Sequence, residues 1–315
     1  MRYQPQLATL VKAAPDGDEW LHEIKYDGYR MGCLVEGGRV KLVSRNGKDW
    51  TDAFLPIVAA ARELGVDRAL LDGEAAILTA DGRTSFQALQ NWFSSGGDRL
   101  VYFAFDLLAL EGEAQLAARP LEDRKEVLRD LLAAGASGGC LRFSDHVVGS
   151  GARFLRAACG RGLEGIVSKR RGDPHRPGRT TGWLKSKCVH RQELIIGGFT
   201  EPEGARAGLG ALLVGYHEGG ALRFAGKVGT GFTQAGALGL RKQLDAIESD
   251  ECPFTPRPAG LGKRVHWVRP RLVAEIEFGE WTGDGKVRHA SFQGLRRDKR
   301  AREVVRDRPR KVRLE

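Results

Sequence analysis

The hydrophobic pattern changes near residue 190, and that change limits the folds this chain can adopt. Upstream, helix-period and strand-period stretches alternate; downstream, strand patterns dominate. Residues 39–43 alternate with period two behind the turn signal Glu36-Gly37-Gly38. Residues 54–64 have helical spacing and stop at Gly65, 86–92 suit a short helix, and Pro120 stands near the start of an amphipathic helix running to about residue 132. Residues 69–78 read as strand, tight centre at Asp72-Gly73-Glu74, and strand again. Residues 100–110 read as a buried strand, and 170–182, rich in Gly, Pro, Arg and Thr, as a loop. Beyond the change, strands are expected at 193–199, 210–216, 222–228 and 272–281, interrupted by one helix at 234–247. With 315 residues, enough for about two domains, the chain reads as α+β: a first domain, 1–189, of antiparallel sheets and helices, then a small β-barrel, 190–315. The boundary at 188–192 holds neither Gly nor Pro and rests on the pattern alone.

Charge narrows the partner. Lys and Arg number 50 against 40 Asp and Glu, a net charge of +10. The excess is concentrated, since residues 286–315 hold 12 basic and 4 acidic side chains. This suits a polyanion, although a basic protein with a solvated tail has the same count. At 42% hydrophobic and 29% charged, the composition is globular, neither disordered nor fibrous. No run of about 18 apolar residues is present to span a membrane, and residues 1–7 lack the apolar stretch of a secretion signal. Five scattered cysteines, never in a Cys-x-x-Cys pair, argue against a disulfide framework and a zinc knuckle. They fit a reducing cytoplasm.

The most informative stretch is His22-Glu23-Ile24-Lys25-Tyr26-Asp27-Gly28-Tyr29-Arg30. A lysine at a strand end, followed by Asp-Gly, is a candidate nucleophile. It is nucleophilic only when neutral, so its pKa is expected to fall through burial or nearby cations. Alone, the pattern also describes a surface lysine before a turn. Further stretches follow in order: Ser44-Arg45-Asn46-Gly47, Asp72-Gly73-Glu74, Phe105-Asp106-Leu107-Leu108, Leu163-Glu164-Gly165, Trp183-Leu184-Lys185-Ser186-Lys187, and Arg288 to Lys299 with Gly294-Leu295-Arg296-Arg297-Asp298-Lys299. They supply isolated carboxylates suited to a hard metal or to ribose hydroxyls, cations suited to phosphate, and an aromatic suited to a base.

In this order the motifs resemble the covalent nucleotidyltransferase superfamily, and within it the ATP-dependent DNA ligases. The forms Glu-Ile-Lys-Tyr-Asp-Gly-Tyr-Arg, Ser-Arg-Asn-Gly and Gly-Leu-Arg-x-Asp-Lys look most like the ligase module of the bacterial non-homologous end-joining ligase family. The resemblance runs from about residue 7 to residue 299. It implies an adenylation (nucleotidyltransferase) domain followed by a C-terminal OB-fold β-barrel, with ATP and a divalent metal, Mg2+ or Mn2+, as cofactors. Lys25 would attack the α-phosphate of ATP, pyrophosphate would leave, and AMP would pass to the 5′-phosphate of a nick, which the 3′-hydroxyl then seals. Glu23 would lie beside the adenine through its backbone, Arg30 and Glu74 near the ribose, and Arg45 toward AMP or the nick phosphate. Phe105 would stack on the adenine, and Lys185 and Lys187 would contact the α-phosphate. Glu164 would bind the metal, with Glu74 as second contributor. Asp27 counts among the catalytic residues, against a plain role in the turn. Arg296, Asp298 and Lys299 would orient the departing pyrophosphate from the second domain, which implies closure for that step and reopening for DNA.

Other positions read more plainly. Asp72 is open between a role at the site and capping of the strand turn, Asp106 is expected to bond locally, Lys169 reads as a solvated charge, and Lys48 and Arg170 as DNA or phosphate contacts. Ala290 stands where the last motif often has proline. The implied partner is nicked double-stranded DNA, bound by the two core domains and the basic tail in a salt-sensitive way. A Ku-like end-binding protein and a separate repair polymerase are left open. The chain has no room before Lys25 for a further DNA-binding domain and is expected to act as a monomer in the bacterial cytoplasm, near the nucleoid during repair. RNA ligase, a capping-type nucleotidyltransferase, and a catalytically dead nucleic-acid-binding protein are the alternatives.

Overall fold

The computed structural model describes residues 1–97, 99–135, 139–202, 208–261 and 264–309. The chain divides into two compact units, one with Met1–Cys188 as its body and one of Val189–Asp307.

The first unit runs β1 (Gln6–Leu10), β2 (Asp16–Ile24), β3 (Tyr29–Glu36), β4 (Arg39–Ser44), α1 (Leu55–Arg62), β5 (Arg68–Ile77), α2 (Phe86–Ser95), β6 (Leu100–Leu110), α3 (Leu121–Ala134), β7 (Leu141–Phe143), β8 (His146–Ser150), α4 (Gly151–Gly160), β9 (Gly165–Arg170) and β10 (Gly178–Lys187). The strands form two five-stranded sheets, ordered β1-β10-β9-β2-β8 and β4-β3-β5-β6-β7. Both are antiparallel except at one edge each, where β1 pairs with β10 and β6 with β7 in parallel. The chain crosses from the first sheet to the second between β2 and β3, so residues 25–28 are the crossover.

Alternation on β3, β5 and β6 sends Tyr29, Met31, Ala75, Tyr102 and Ala104 to one face, where they pack with Phe54, Ile57, Phe86 and Leu128 into the main core. The opposite face of that sheet is the one that carries the charged motif residues. α2 starts where its sequence allows: the Ser85 side chain accepts from the Ala88 N–H. Asp27, in the crossover, accepts from the Phe86 N–H at the same helix end.

Several expectations for this unit change. Residues 69–78 form no strand–turn–strand; β5 is continuous, because Gly73 lets the Tyr102 ring pass where a Cβ would stand 2.5 Å from it. Asp72 is accordingly a fully buried strand residue rather than a turn cap. The expected loop at 170–182 ends early, since β10 begins at Gly178, and its partner β1 carried no clear strand pattern. Asp106 bonds the Leu107 N–H locally but also holds the buried Arg124 guanidinium in a two-point ion pair, both contacts 2.8 Å. Against the expectation of unpaired cysteines, Cys159 at the end of α4 is bonded to Cys188 just beyond β10.

The second unit comprises β11 (His190–Thr200), β12 (Leu212–Glu218), β13 (Ala221–Val228), α5 (Gln234–Asp245), β14 (Glu248–Ser249), β15 (Val265–Val268), β16 (Val273–Phe278), β17 (Glu280–Trp281), β18 (Val287–Arg288) and β19 (Ser291–Leu295). The short strands β14, β15 and β19 escaped the sequence reading. A seven-stranded sheet centred on β11 curls around Leu194, Ile196, Leu213, Val214, Leu240 and Ile276. No ladder closes it; among the described residues, a single parallel bridge, Thr230 to Ser291, joins the end of β13 to β19. Of the basic tail, Ala301–Glu303 is one 3-10 turn and residues 310–313 lie outside the described residues.

Asp106→Ala leaves the Arg124 charge buried without its partner, so unfolding free energy should fall by about 3–5 kcal/mol in urea titration. Asp106→Leu combined with Arg124→Met should recover most of that loss.

Candidate active site

Register places the motif residues. On the first sheet Glu23 lies opposite Val167, which lies opposite Lys185; Leu21 lies opposite Lys169, which lies opposite Trp183; and Gly165 lies opposite Lys187. Cross-strand partners share a face, so Glu23, Lys169, Trp183, Lys185 and Lys187 line one side while His22, Ile166 and Ser168 line the other. The row ends at the crossover, where the Lys25 N–H donates to the Gly165 carbonyl at 2.9 Å and the Cys188 N–H to the Glu164 carbonyl at 2.9 Å. This crossing requires glycine at 165: its φ is +151°, and a Cβ would stand 2.2 Å from the Ser186 oxygen. On the second sheet Arg30 lies opposite Glu74 and Glu74 opposite Phe103. The two lined faces meet, for the Arg30 guanidinium sits 4.8 Å from the Phe105 ring centre and 5.2 Å from that of Trp183.

At the centre, Lys25 Nζ pairs with Glu164 Oε1 at 2.6 Å. Burial pulls the Lys25 pKa down, but the negative charge of Glu164, with smaller contributions from Glu74 and Asp27, outweighs it and holds the pKa above the ordinary lysine value. The expected fall is therefore not found in the ligand-free site: Lys25 rests as an ammonium because a carboxylate, not a cation, is its neighbour. The pair stabilises the fold at neutral pH and is lost as pH rises through the elevated lysine pKa.

The remaining first-unit residues differ in their surroundings. Arg30 is clamped on Asp72 by two contacts, 2.9 and 2.6 Å, with the Tyr3 hydroxyl donating to the same carboxylate at 2.6 Å. Glu23 is buried with Lys125 Nζ at 2.7 Å, Lys169 Nζ at 2.9 Å and the Ser144 hydroxyl at 3.1 Å, so its side chain belongs to the interior. Burial alone would raise its pKa; the two ammonium groups reverse that and lower it. Lys169, read from sequence as a solvated charge, is buried, 4.3 Å from the Phe105 ring centre and 4.1 Å from that of Trp183. Burial, with repulsion from Lys125 in support, brings its pKa down to about 8 despite Glu23. Phe105 is 7% exposed, packed against Arg30, Lys169 and the edge of Trp183. Lys185, Lys187 and Arg45 are half-buried, Arg45 directly following the Ser44 that pairs with Met31. Lys48 lies over the Trp50 ring and Arg170 over that of Trp20.

Three candidates lie in the second unit. Arg296 grips Asp298 by two contacts, 2.9 and 2.8 Å, and Glu275 by a third at 2.9 Å; Lys299 pairs with Glu193 at 2.9 Å.

Sequence reasoning passed over Lys125 and Ser144. A signal for Lys125 existed: Leu121, Arg124, Lys125 and Leu128 stand at the spacing of one buried helix stripe, and two cations there require anions to meet them.

Among the described residues no cluster of three or more His, Cys, Asp or Glu could hold a metal alone. Glu164 and Glu74, two hard-oxygen donors around one lysine, instead fit an ion such as Mg2+ that takes one or two carboxylates and completes its shell from phosphate and water.

Comparison with known proteins places this arrangement. The family described as ATP dependent DNA ligase domain matches residues 5–187, and that described as ATP dependent DNA ligase C terminal region matches 205–299. The chain belongs to the ATP-dependent DNA ligases. It is 44% identical over 311 residues to the multifunctional non-homologous end joining protein LigD of Pseudomonas aeruginosa, covering 97% of this chain and 36% of that protein. It is 30% identical to DNA ligase C of Mycobacterium tuberculosis, covering 94% and 90%. The chain thus spans little more than a third of the Pseudomonas LigD. Among solved structures, a mycobacterial DNA ligase D complexed with ATP and MES superposes with a TM-score of 0.72 at 38% identity, covering 96% of this chain and 98% of that one. The fold is therefore an adenylation unit followed by an OB-fold, ATP is the nucleotide used, and a divalent metal is the cofactor. That family is distinct from the RNA ligases and the capping-type nucleotidyltransferases.

Replacing Glu164 removes the charge that holds Lys25 protonated, so Glu164→Gln should lower the Lys25 pKa. In the ligand-free protein, competitive acylation followed across pH by mass spectrometry should find Lys25 more reactive at neutral pH in the variant than in the wild type.

Proposed function

We propose that this ligase seals nicked double-stranded DNA through an AMP carried on Lys25. The observation that carries the reading is the placement of Lys25 on the crossover between two sheets, against Glu164 and within the field of Glu74 and Asp27. The lysine nitrogen attacks the α-phosphorus of ATP, a P–N bond forms, and the P–O bond to pyrophosphate breaks. A divalent metal held by Glu164 and Glu74 would neutralise phosphate charge and compete with Lys25 for Glu164. Without that counter-ion, burial dominates and Lys25 gives up its proton more readily. Lys185 and Lys187, aligned on one face of β10, are the cations for the α-phosphate. Arg30, held flat by Asp72, and Glu74 serve the ribose, Arg45 serves AMP or the nick phosphate, and Phe105 the adenine. Glu23 contributes only backbone, its side chain being committed, and Asp27 serves by fixing the crossover to α2. Arg296, Asp298 and Lys299 assist pyrophosphate departure.

The likeness to LigD supports a place in end joining, with a Ku-like end-binding protein and a repair polymerase as partners in a bacterial cytoplasm. Among the described residues no helix is long and apolar enough to cross a membrane.

Intact mass before and after ATP with Mg2+ or Mn2+ tests the nucleophile. Wild type should gain one AMP, reversibly with pyrophosphate, and Lys25→Ala should gain none while folding normally; a labelled variant sinks the assignment. Lys299→Ala should slow self-adenylation more than sealing of a pre-adenylated nick, because pyrophosphate exists only in the first step. Equal losses would remove Lys299 from that role.

A further inference from the structure

The crossover that carries Lys25 is held at nearly every residue. The Lys25 N–H is bonded to Gly165, the Asp27 carboxylate to the Phe86 N–H and the Asp27 N–H to the Thr84 hydroxyl. Gly28 lies so close to β5 that a Cβ would stand 2.2 Å from the Ala75 oxygen. Tyr26 is the one residue of the crossover whose side chain reaches a ring on the second sheet: it stacks on Phe103 with centres 3.8 Å apart and planes 5° from parallel. Neither ring belongs to the apolar clusters that pack the two sheets. Phe103 is itself buried, and the half-buried Tyr26 ring is laid flat on it. Phe103 is the cross-strand partner of Glu74, the carboxylate whose field reaches Lys25. The stack accordingly fixes the distance between the backbone of Lys25 on one sheet and the strand bearing Glu74 on the other.

We infer that Tyr26 and Phe103 form a strut that positions Lys25 for attack on the α-phosphate, making Tyr26 a positioning residue for lysine adenylation. The inference rests on Lys25 being the nucleophile. Two flat rings in contact resist compression and shear while leaving the Lys25 side chain free to swing from Glu164 to phosphorus. The two rings are engaged with each other, so loss of the stack should act on the geometry of attack more than on ATP binding. Sealing of a nick that is already adenylated uses the cleft but not the Lys25 nitrogen as nucleophile, so that step should be spared.

The test compares single-turnover self-adenylation, at varied ATP with Mg2+, against sealing of a pre-adenylated nicked duplex. Tyr26→Ala should reduce the maximal adenylation rate by about 10- to 100-fold, the range expected for a misplaced reacting group, with the ATP concentration for half-maximal rate nearly unchanged and sealing near wild type. Tyr26→Phe should retain the rate because it keeps the stack. Phe103→Ala should reproduce Tyr26→Ala, and the double variant should be no slower than either, as two halves of one contact require. Should Tyr26→Ala fail to fold, Tyr26→Leu, which keeps bulk without a flat ring, replaces it with the same expectation. Wild-type adenylation in the variants, equal losses in adenylation and sealing, or multiplying losses in the double variant would overturn the strut. AMP labelling of Lys25→Ala, run alongside, would instead overturn the nucleophile on which it rests.

Discussion

A single buried carboxylate organises the first unit. Glu23 on β2 takes Lys125 from α3 and Lys169 from β9, and accepts a hydroxyl from Ser144 after β7. Through these contacts one helix and both sheets converge on one strand residue, and Lys169 adds a contact to the Phe105 carbonyl at 3.4 Å. Two ammonium groups on one carboxylate leave a positive excess in a dry place, offset in part by the negative charge of Asp106, which is itself paired with Arg124. Such groups are costly to bury and more costly to separate. The arrangement therefore selects one sheet-to-sheet geometry, and the nucleotide-facing residues inherit it.

That cluster also shows where the sequence could and could not be read. Long elements with one dominant period were legible: β6 as an apolar run, α3 from its Pro120 entry, and α5. Edge strands such as β1, and the short β14, β15 and β19, were not, because two to five residues carry too little alternation and their pairing is set by distant partners. Gly73 misled for a physical reason: in sequence a glycine between Asp and Glu suggests a turn, but here it makes room for Tyr102. The site residues were legible as motifs, yet their partners were not. Asp72 beneath Arg30, Lys169 beneath Phe105 and Glu164 against Lys25 are relations between strands that only the register reveals. The mistaken direction of the Lys25 pKa follows from the same blindness, for the lysine motif does not say which charge stands 2.6 Å away.

The resting state is consequently one of internal pairing. Lys25 leans on Glu164, Arg30 on Asp72, Arg296 on Asp298 and Glu275, and Lys299 on Glu193. These cations are thereby kept from collapsing on one another or on stray anions. The two arginine pairs, each held by two contacts to one carboxylate, are fixed in orientation; the two lysine pairs rest on single contacts and are the easier to exchange.

The bond between Cys159 and Cys188 gives the joint between the units a mechanical character. Cys188 is the last residue of the first unit and directly follows Lys187. The chain leaves the first unit there, at the end of β10 where it pairs with β9 through Lys187 and Gly165. The cross-link fastens it to α4, which packs against β9 through Ala158 and Ile166. The end of the strand that carries Lys185 and Lys187 is thus tied to a helix as well as to its neighbouring strand, so the row of lysines does not depend on ladder hydrogen bonds alone.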